Sequence, residues 1–267
     1  MSMTHPPLSE LKKIVVVKRD DVQDYPLDPL QKLLNRAHIE LVDHLEQVHQ
    51  DVDLVIALGG DGTVLRALSL YPLVPTLAVN FGRVGFLTQC DRDEIDKVLV
   101  RLLSDEYRIE DRFALEVEYR GQVIRCINEV VLKSIAHMVE LTLSVDGCFV
   151  RSLRGDGVII GTPTGSTAYL MSTGAPLVTP GVKCMIATPL NEYRFSSRTM
   201  ILPPESEIHV QVDQMRELDL VGVIDGGDRL PLEKGESILI RQSPQPTRLV
   251  TFEPHYFFRN LRERLDW

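Results

Sequence analysis

The apolar positions of this chain change their period part-way along it. Residues 14–17 (Ile-Val-Val-Val) form an unbroken β-branched run, the pattern of a strand covered on both faces within a parallel sheet. Leu30, Leu33, Leu34, Ala37, Leu41, Leu45 and Val48 then recur at helical spacing, which predicts a helix over residues 28–49 with Asp28 as N-cap and Pro29 at its first position. A second apolar run over 53–58 ends in Gly59-Gly60, residues 61–71 read as helix, and 76–80 read as a third strand after Pro72 and Pro75. Alternating strand and helix imply right-handed crossovers and a Rossmann-like α/β domain. Beyond a further helix near 93–103, residues 112–160 alternate with period two around the turn pairs Arg120-Gly121 and Asp146-Gly147, which is hairpin chemistry. Val139, Leu141, Leu143 and Val145 alternate with Glu140, Thr142 and Ser144, so one face of that strand is expected to be buried. Further strands are expected at 207–212, 219–224, 237–241 and 248–252, making a second domain that is mainly β. Phe257, Leu261 and Leu265 predict a closing helix over 255–265.

Three segments carry candidate chemistry. Gly59-Gly60-Asp61-Gly62-Thr63 places a glycine-rich turn at the carboxyl end of a parallel strand and the start of a helix, where ligands bind in open α/β sheets. Glycines let the backbone approach a phosphate, and a helix N-terminus presents free N–H groups to an anion. Asp61 would repel that anion unless it holds a metal or faces a hydroxyl that must lose a proton, either of which points to phosphoryl transfer; the plainer alternative is a tight turn whose Asp caps the helix. The second segment, Thr162-Pro163-Thr164-Gly165-Ser166-Thr167-Ala168-Tyr169, follows Gly155-Asp156-Gly157 and an apolar strand, and leads into a helix expected over 168–172. Its four hydroxyls in six residues suit ribose and phosphate, or else a turn closed by its own side chains. The third, Asn128-Glu129, interrupts an apolar strand pattern and reads as a strand edge or a ligand contact. There is no Walker A motif and no G-x-G-x-x-G after a strand.

Composition narrows the classes. With 267 residues, 29 Lys+Arg against 38 Asp+Glu and a net charge of −9, the chain lacks the basic face that duplex or single-stranded nucleic acid requires, and no nucleic-acid partner is expected. Only four apolar residues follow Lys12-Lys13, too few for a signal-peptide core, and no stretch approaches the ~18–20 apolar residues of a membrane span. A cytoplasmic protein without a membrane partner is therefore expected. Cys90, Cys126, Cys148 and Cys184 have no paired spacing and read as small buried hydrophobes. The histidines show no metal spacing, with His38, His44 and His49 assigned to the same polar-rich helix, so no protein metal site is expected from them.

Taken together, these residues resemble the NAD kinase family. The matches are Gly59–Thr63 (GGDGT), the run from Asn80 to Leu87 (NFGRVGFL), Asn128-Glu129 ahead of an apolar run, and Gly155-Asp156-Gly157 leading into TPTGSTAY. Pro176, Pro180, Asp225-Gly226 and the tail YFFRNLRERLDW also look like the family. GGDGT alone is shared with diacylglycerol-type lipid kinases, whereas TPTGSTAY at this distance after Asn-Glu is specific to NAD kinases. The resemblance implies an α/β domain followed by a β-rich NAD-binding domain, with the C-terminal helix (253–267) packing back on the first; a composition shift puts the boundary near residue 100, giving 1–100 and 101–252. It implies transfer of a phosphoryl group from ATP or another donor to the adenosine 2′-hydroxyl of NAD, with a divalent ion, Mg²⁺, bridging donor phosphates. On this resemblance Asp61 is the general base or orienter, with Gly59, Gly60, Gly62 and Thr63 beside it. Asn128 and Glu129 hold the adenosine ribose and Asp156 the nicotinamide end, while Thr162, Thr167, Ala168, Tyr169 and Ser172 line the dinucleotide site, with Arg66 and Arg154 as further contacts. Where many members carry a Pro-His pair, this chain reads Leu190-Asn191-Glu192-Tyr193-Arg194-Phe195, an Asn-containing loop in which Asn191 is the expected contact. A homodimer or homotetramer formed through the second domain is also implied, with residues 190–197 as the candidate interface segment. A lipid kinase and a non-catalytic dinucleotide sensor are the competing readings; the retained Asp61 speaks against the sensor.

Overall fold

The computed structural model describes residues 11–265 except 23–24, 26, 44–47, 83–84, 194–197 and 217–219. The chain divides into two compact units, residues 1–111 with 247–267, and residues 112–246.

The first unit is built on β1 (Lys13–Lys18), α1 (Asp28–Arg36), β2 (Glu40–Asp43), β3 (Leu54–Gly59), α2 (Asp61–Leu70), β4 (Thr76–Asn80), β5 (Cys90–Asp91), α3 (Ile95–Leu103) and β6 (Arg108–Arg112). Ile14 to Val17 and all of β3 are buried, as uninterrupted β-branched runs require in a sheet covered on both faces. The strand order begins β2-β1-β3-β4, with these pairs parallel and β5 beside β4. Because β2 lies on one side of β1 and β3 on the other, the order reverses there, and the carboxyl end of β3 opens at the switch point. It is there that Gly59-Gly60-Asp61 sits.

One expected element divides. The helix expected over 28–49 stops at Arg36: Ala37 caps it, His38 turns at φ +57°, and Glu40–Asp43 pairs parallel with β1. Leu41 keeps the helical phase by coincidence while lying opposite Ile14 in the sheet. The N-cap is Leu27 rather than Asp28, which is the first helical residue. His38 and His49 therefore share no helix, and His44 lies outside the described residues.

Among the described residues the second unit pairs its strands antiparallel and has one short helix. Its strands are β7 (Leu115–Tyr119), β8 (Gln122–Cys126), β9 (Glu129–Ser134), β10 (Val139–Val145), β11 (Cys148–Gly155), β12 (Gly157–Gly161), β13 (Met185–Leu190), β14 (Met200–Leu202), β15 (Ile208–Gln214), β16 (Leu220–Ile224), β17 (Asp228–Pro231) and β18 (Ser237–Gln242), with α4 (Tyr169–Ser172) between β12 and β13. They form two six-stranded sheets, β11-β10-β15-β18-β7-β8 and β14-β13-β12-β9-β16-β17. Leu115, Val117, Leu141 and Val210 of the first sheet share one core with Val130, Leu132, Val158, Ile160 and Met185 of the second. The hairpin turns at Arg120-Gly121 and Asp146-Gly147 have positive φ at both residues, as the sequence pairs demand. Val139, Leu141 and Leu143 are buried as expected from their alternation. On the other face of the second sheet Val131, Ile159 and Ile186 pack under Leu170 of α4, so β12 is covered on both sides.

The chain then re-enters the first unit with β19 (Thr247–Thr251) and α5 (Tyr256–Leu265). The sequence reading places the domain boundaries at residues 100 and 252; β6 and β19 both belong to the sheet of the first unit, and the units divide after residues 111 and 246. α5 belongs to the first unit, where Asn260 donates to the Gly85 carbonyl at 3.3 Å.

Candidate active site

In the first unit the carboxylate of Asp61 opens α2, and both of its oxygens are held. Oδ2 accepts the amide of Phe86 at 2.8 Å and Oδ1 that of Leu87 at 3.0 Å. A Cβ on Gly85 would lie 1.8 Å from Asp61 Oδ1, so glycine is required there for the carboxylate to keep its place. Thr88 Oγ1 accepts the Gly85 amide at 3.0 Å, and the Asn80 side chain ties Gly82 and Asp91 to β4. The NFGRVGFL run is thus a brace for Asp61, with residues 83–84 outside the described part. Gly60 and Gly62 have nothing within 4 Å of an added Cβ, so packing does not demand glycine at either, and the turn stays open in front of the helix N-terminus. Gly59 and Thr63 do a different job: a Cβ on Gly59 would meet Thr63 Oγ1 at 2.2 Å, and Thr63 is buried. Arg66 is exposed and lies 3.9 Å from Asp20, a surface pair of little energetic weight.

In the second unit Asn128-Glu129 leads into β9 and is buried. Burial pushes Glu129 up to about 8, the negative charge of Asp225 adds to this, and a hydrogen bond from the Tyr169 amide opposes it. Its Oε2 has no hydrogen-bond partner, an unmet acceptor that a ligand hydroxyl would satisfy. Gly161 and Gly165 let the chain lie against the Asn128 carbonyl; an added Cβ would meet that oxygen at 2.8 and 2.2 Å. Gly157, at φ +150°, would drive a Cβ to 1.8 Å from the Leu132 carbonyl, so the strand beside Asp156 can be built only with glycine. Asp156 Oδ2 accepts from Asn191 Nδ2 at 2.7 Å, and Asn191 itself turns at φ +43°. Lys133 Nζ stands 3.4 Å from the hydroxyl of Tyr169, which is partly exposed.

The hydroxyls of the loop have partners within the fold. Thr162 Oγ1 donates to the Ile127 carbonyl at 2.6 Å, Ser166 Oγ bonds Pro163 and Val178, Thr167 Oγ1 donates to Thr164, and Thr164 Oγ1 accepts from Arg112. Thr162 and Ser166 are fully buried. Ser166 and Thr167 bond within the turn, Thr162 and Thr164 tie it to Ile127 and Arg112, and the helix expected over 168–172 is the single turn α4 preceded by a 3-10 turn. Thr167, Ala168, Tyr169 and Ser172 are the members of this set that keep some exposure. Arg154 is exposed and pairs with Glu140 at 3.6 Å.

A fixed carboxylate on an open glycine-rich turn at a switch point, in a chain that also carries a buried carboxyl with an unmet acceptor, is an arrangement suited to a phosphotransferase. Comparison with known proteins gives the particular kind. Residues 11–107 match the ATP-NAD kinase N-terminal domain and residues 127–252 the ATP-NAD kinase C-terminal domain. NAD kinase from Cellvibrio japonicus is 38% identical over 245 residues, spanning 88% of this chain and 81% of the relative. NAD kinase from Syntrophotalea carbinolica is 34% identical over 268 residues, spanning 95% and 94%. Among solved structures, yeast NADH kinase complexed with NADH aligns at a TM-score of 0.82 with 26% identity, covering 96% of this chain and 88% of that one. An NAD kinase from Archaeoglobus fulgidus in complex with ATP aligns at 0.81 with 28% identity, covering 95% and 98%. The chain belongs to the NAD kinase family and is an enzyme that phosphorylates NAD. The lipid-kinase reading is not favoured.

Proposed function

We propose that the chain moves the γ-phosphoryl group of ATP onto the adenosine 2′-hydroxyl of NAD with Asp61 as the group that orients, and finally deprotonates, that hydroxyl. The observation that carries this reading is the fixed Asp61 carboxylate, held through both oxygens on an open turn. The 2′-oxygen forms a bond to the γ-phosphorus, the bond from that phosphorus to the bridging oxygen breaks, ADP leaves, and the hydroxyl proton passes to Asp61. The proton moves late in a loose transition state, and positioning supplies most of the acceleration. Asn128 and Glu129 hold the reacting ribose, Asp156 the nicotinamide end, and Thr167, Ala168, Tyr169 and Ser172 the rest of the dinucleotide. Glu129 Oε2, left without a partner, supports the ribose assignment.

A divalent ion would neutralise charge on the donor phosphates. Mg²⁺ is ordinarily bound by one or two carboxylates together with substrate phosphates and water, and Asp61, the carboxylate of the glycine-rich turn, fits that donor set. Among the described residues no cluster of three His, Cys, Asp or Glu side chains forms a cage for it, and this mode of binding needs none. A cytoplasmic setting agrees with these substrates. A homodimer or homotetramer through the second unit is the proposed assembly, to be read by light scattering; Tyr193 is exposed in the expected interface segment, and Phe195 lies outside the described residues.

The test is a coupled assay of NADP formation from NAD, ATP and Mg²⁺, repeated with polyphosphate and with a chelator. The reading expects ATP-dependent NADP that the chelator abolishes; no NADP from ATP would overturn the donor assignment.

A further inference from the structure

Asp225 has no part in the roles assigned so far. It opens the turn between β16 and β17 at φ +48°, followed by Gly226 at φ +71°, a left-handed pair that Asp and Gly tolerate. The turn carries its carboxyl to the entry of β9. There Oδ1 accepts the amide of Asn128 at 2.7 Å and that of Glu129 at 3.2 Å, while Oδ2 accepts that of Ile127 at 2.8 Å. Cys126 Sγ donates to Oδ1 at 3.7 Å, and the amide of Asp225 returns to the Glu129 carbonyl at 3.0 Å. Asn or Gly would hold the same turn without burying a charge, so the turn alone does not account for a carboxylate here.

We propose that Asp225 is a positioning residue: its carboxylate locks the backbone of Ile127, Asn128 and Glu129 so that the side chains of Asn128 and Glu129 meet the ribose in one fixed geometry. The proposal rests on the reading that those two side chains hold the ribose. Asp225 also acts on the charge of Glu129, which it helps to keep protonated up to about 8. The groups facing this pair are the Cys126 thiol at the end of β8, the Tyr169 amide of α4, and Arg125, whose guanidinium feels the charge of Asp225. As pH rises through this range Glu129 becomes a carboxylate able to accept from both ribose hydroxyls, so the KM for NAD falls. Loss of the Asp225 charge lowers the Glu129 transition and moves that fall to lower pH.

The experiment measures KM for NAD and for ATP from about pH 6 to about pH 10 in the full chain, in Asp225→Asn and Asp225→Gly, which both keep a turn-compatible residue, and in Glu129→Ala. Above the Glu129 transition both Asp225 variants are expected to raise the KM for NAD about tenfold and to leave that for ATP unchanged, with the midpoint of the NAD profile moved to lower pH. A raised KM with an unmoved midpoint overturns the proposal, because a merely loosened turn would do that. An unchanged KM in the Asp225 variants, with Glu129→Ala impaired, overturns it while the ribose reading stands. An unchanged KM in Glu129→Ala overturns both.

Discussion

Asp61 depends on neighbours that carry no charge. Its two oxygens rest on the Phe86 and Leu87 amides, and Gly85 leaves the space that the carboxylate occupies. Gly85→Ala should therefore displace the carboxylate. Since a misplacement of about 1 Å can cost about a hundredfold in rate, the variant is expected to lose about that much in kcat while calorimetric NAD affinity stays near wild type. Unchanged kcat would show that the brace is not needed. The residues of the proposed function stand out in the sequence: a carboxylate among glycines after a strand in one unit, and a polar pair breaking an apolar run in the other. Asp225 is not, because it acts on backbone amides 97 residues away in the chain, and no local pattern records such a contact.

At the scale of elements the period of apolar residues reads most of the architecture, and fails where two periods overlap. Leu30 and Leu34 are buried helix residues, yet the same phase runs on into Leu41, which pairs in the sheet after His38 has ended the helix. The hydroxyl loop adds a related lesson: composition gives the number of hydroxyls but not their partners, and Thr162 and Ser166 bond within the fold. What the loop does is press its backbone against Asn128, which the glycines permit. Gly165→Ala puts a Cβ 2.2 Å from a backbone oxygen that cannot move aside. Overpacking of this kind costs about 1–3 kcal/mol, and a lower melting temperature with weaker NAD binding is expected by thermal scanning and calorimetry. A variant as stable as wild type, with its NAD affinity intact, would mean that the loop yields easily.

Across the whole molecule the chain is divided between units with separate cores, a parallel sheet that carries the fixed carboxylate and an antiparallel pair of sheets that, on the proposed function, carries the polar groups for the dinucleotide. The two classes of unit are legible from the change of apolar period, but the boundary is not, because β6 (Arg-Ile-Glu-Asp-Arg) and β19 (Thr-Arg-Leu-Val-Thr) carry no local pattern that records their pairing in the sheet of the first unit. This division predicts that chemistry and NAD binding can be separated by one substitution. Asp61→Asn keeps the shape of the side chain but removes the proton acceptor and the charge for a metal. The most direct measurement is turnover by Asp61→Asn in the coupled assay alongside NAD titration of the same protein. The account predicts NADP formation reduced by about a hundredfold or more, with NAD affinity within about twofold of wild type. Near-normal turnover with unaltered affinity would contradict it.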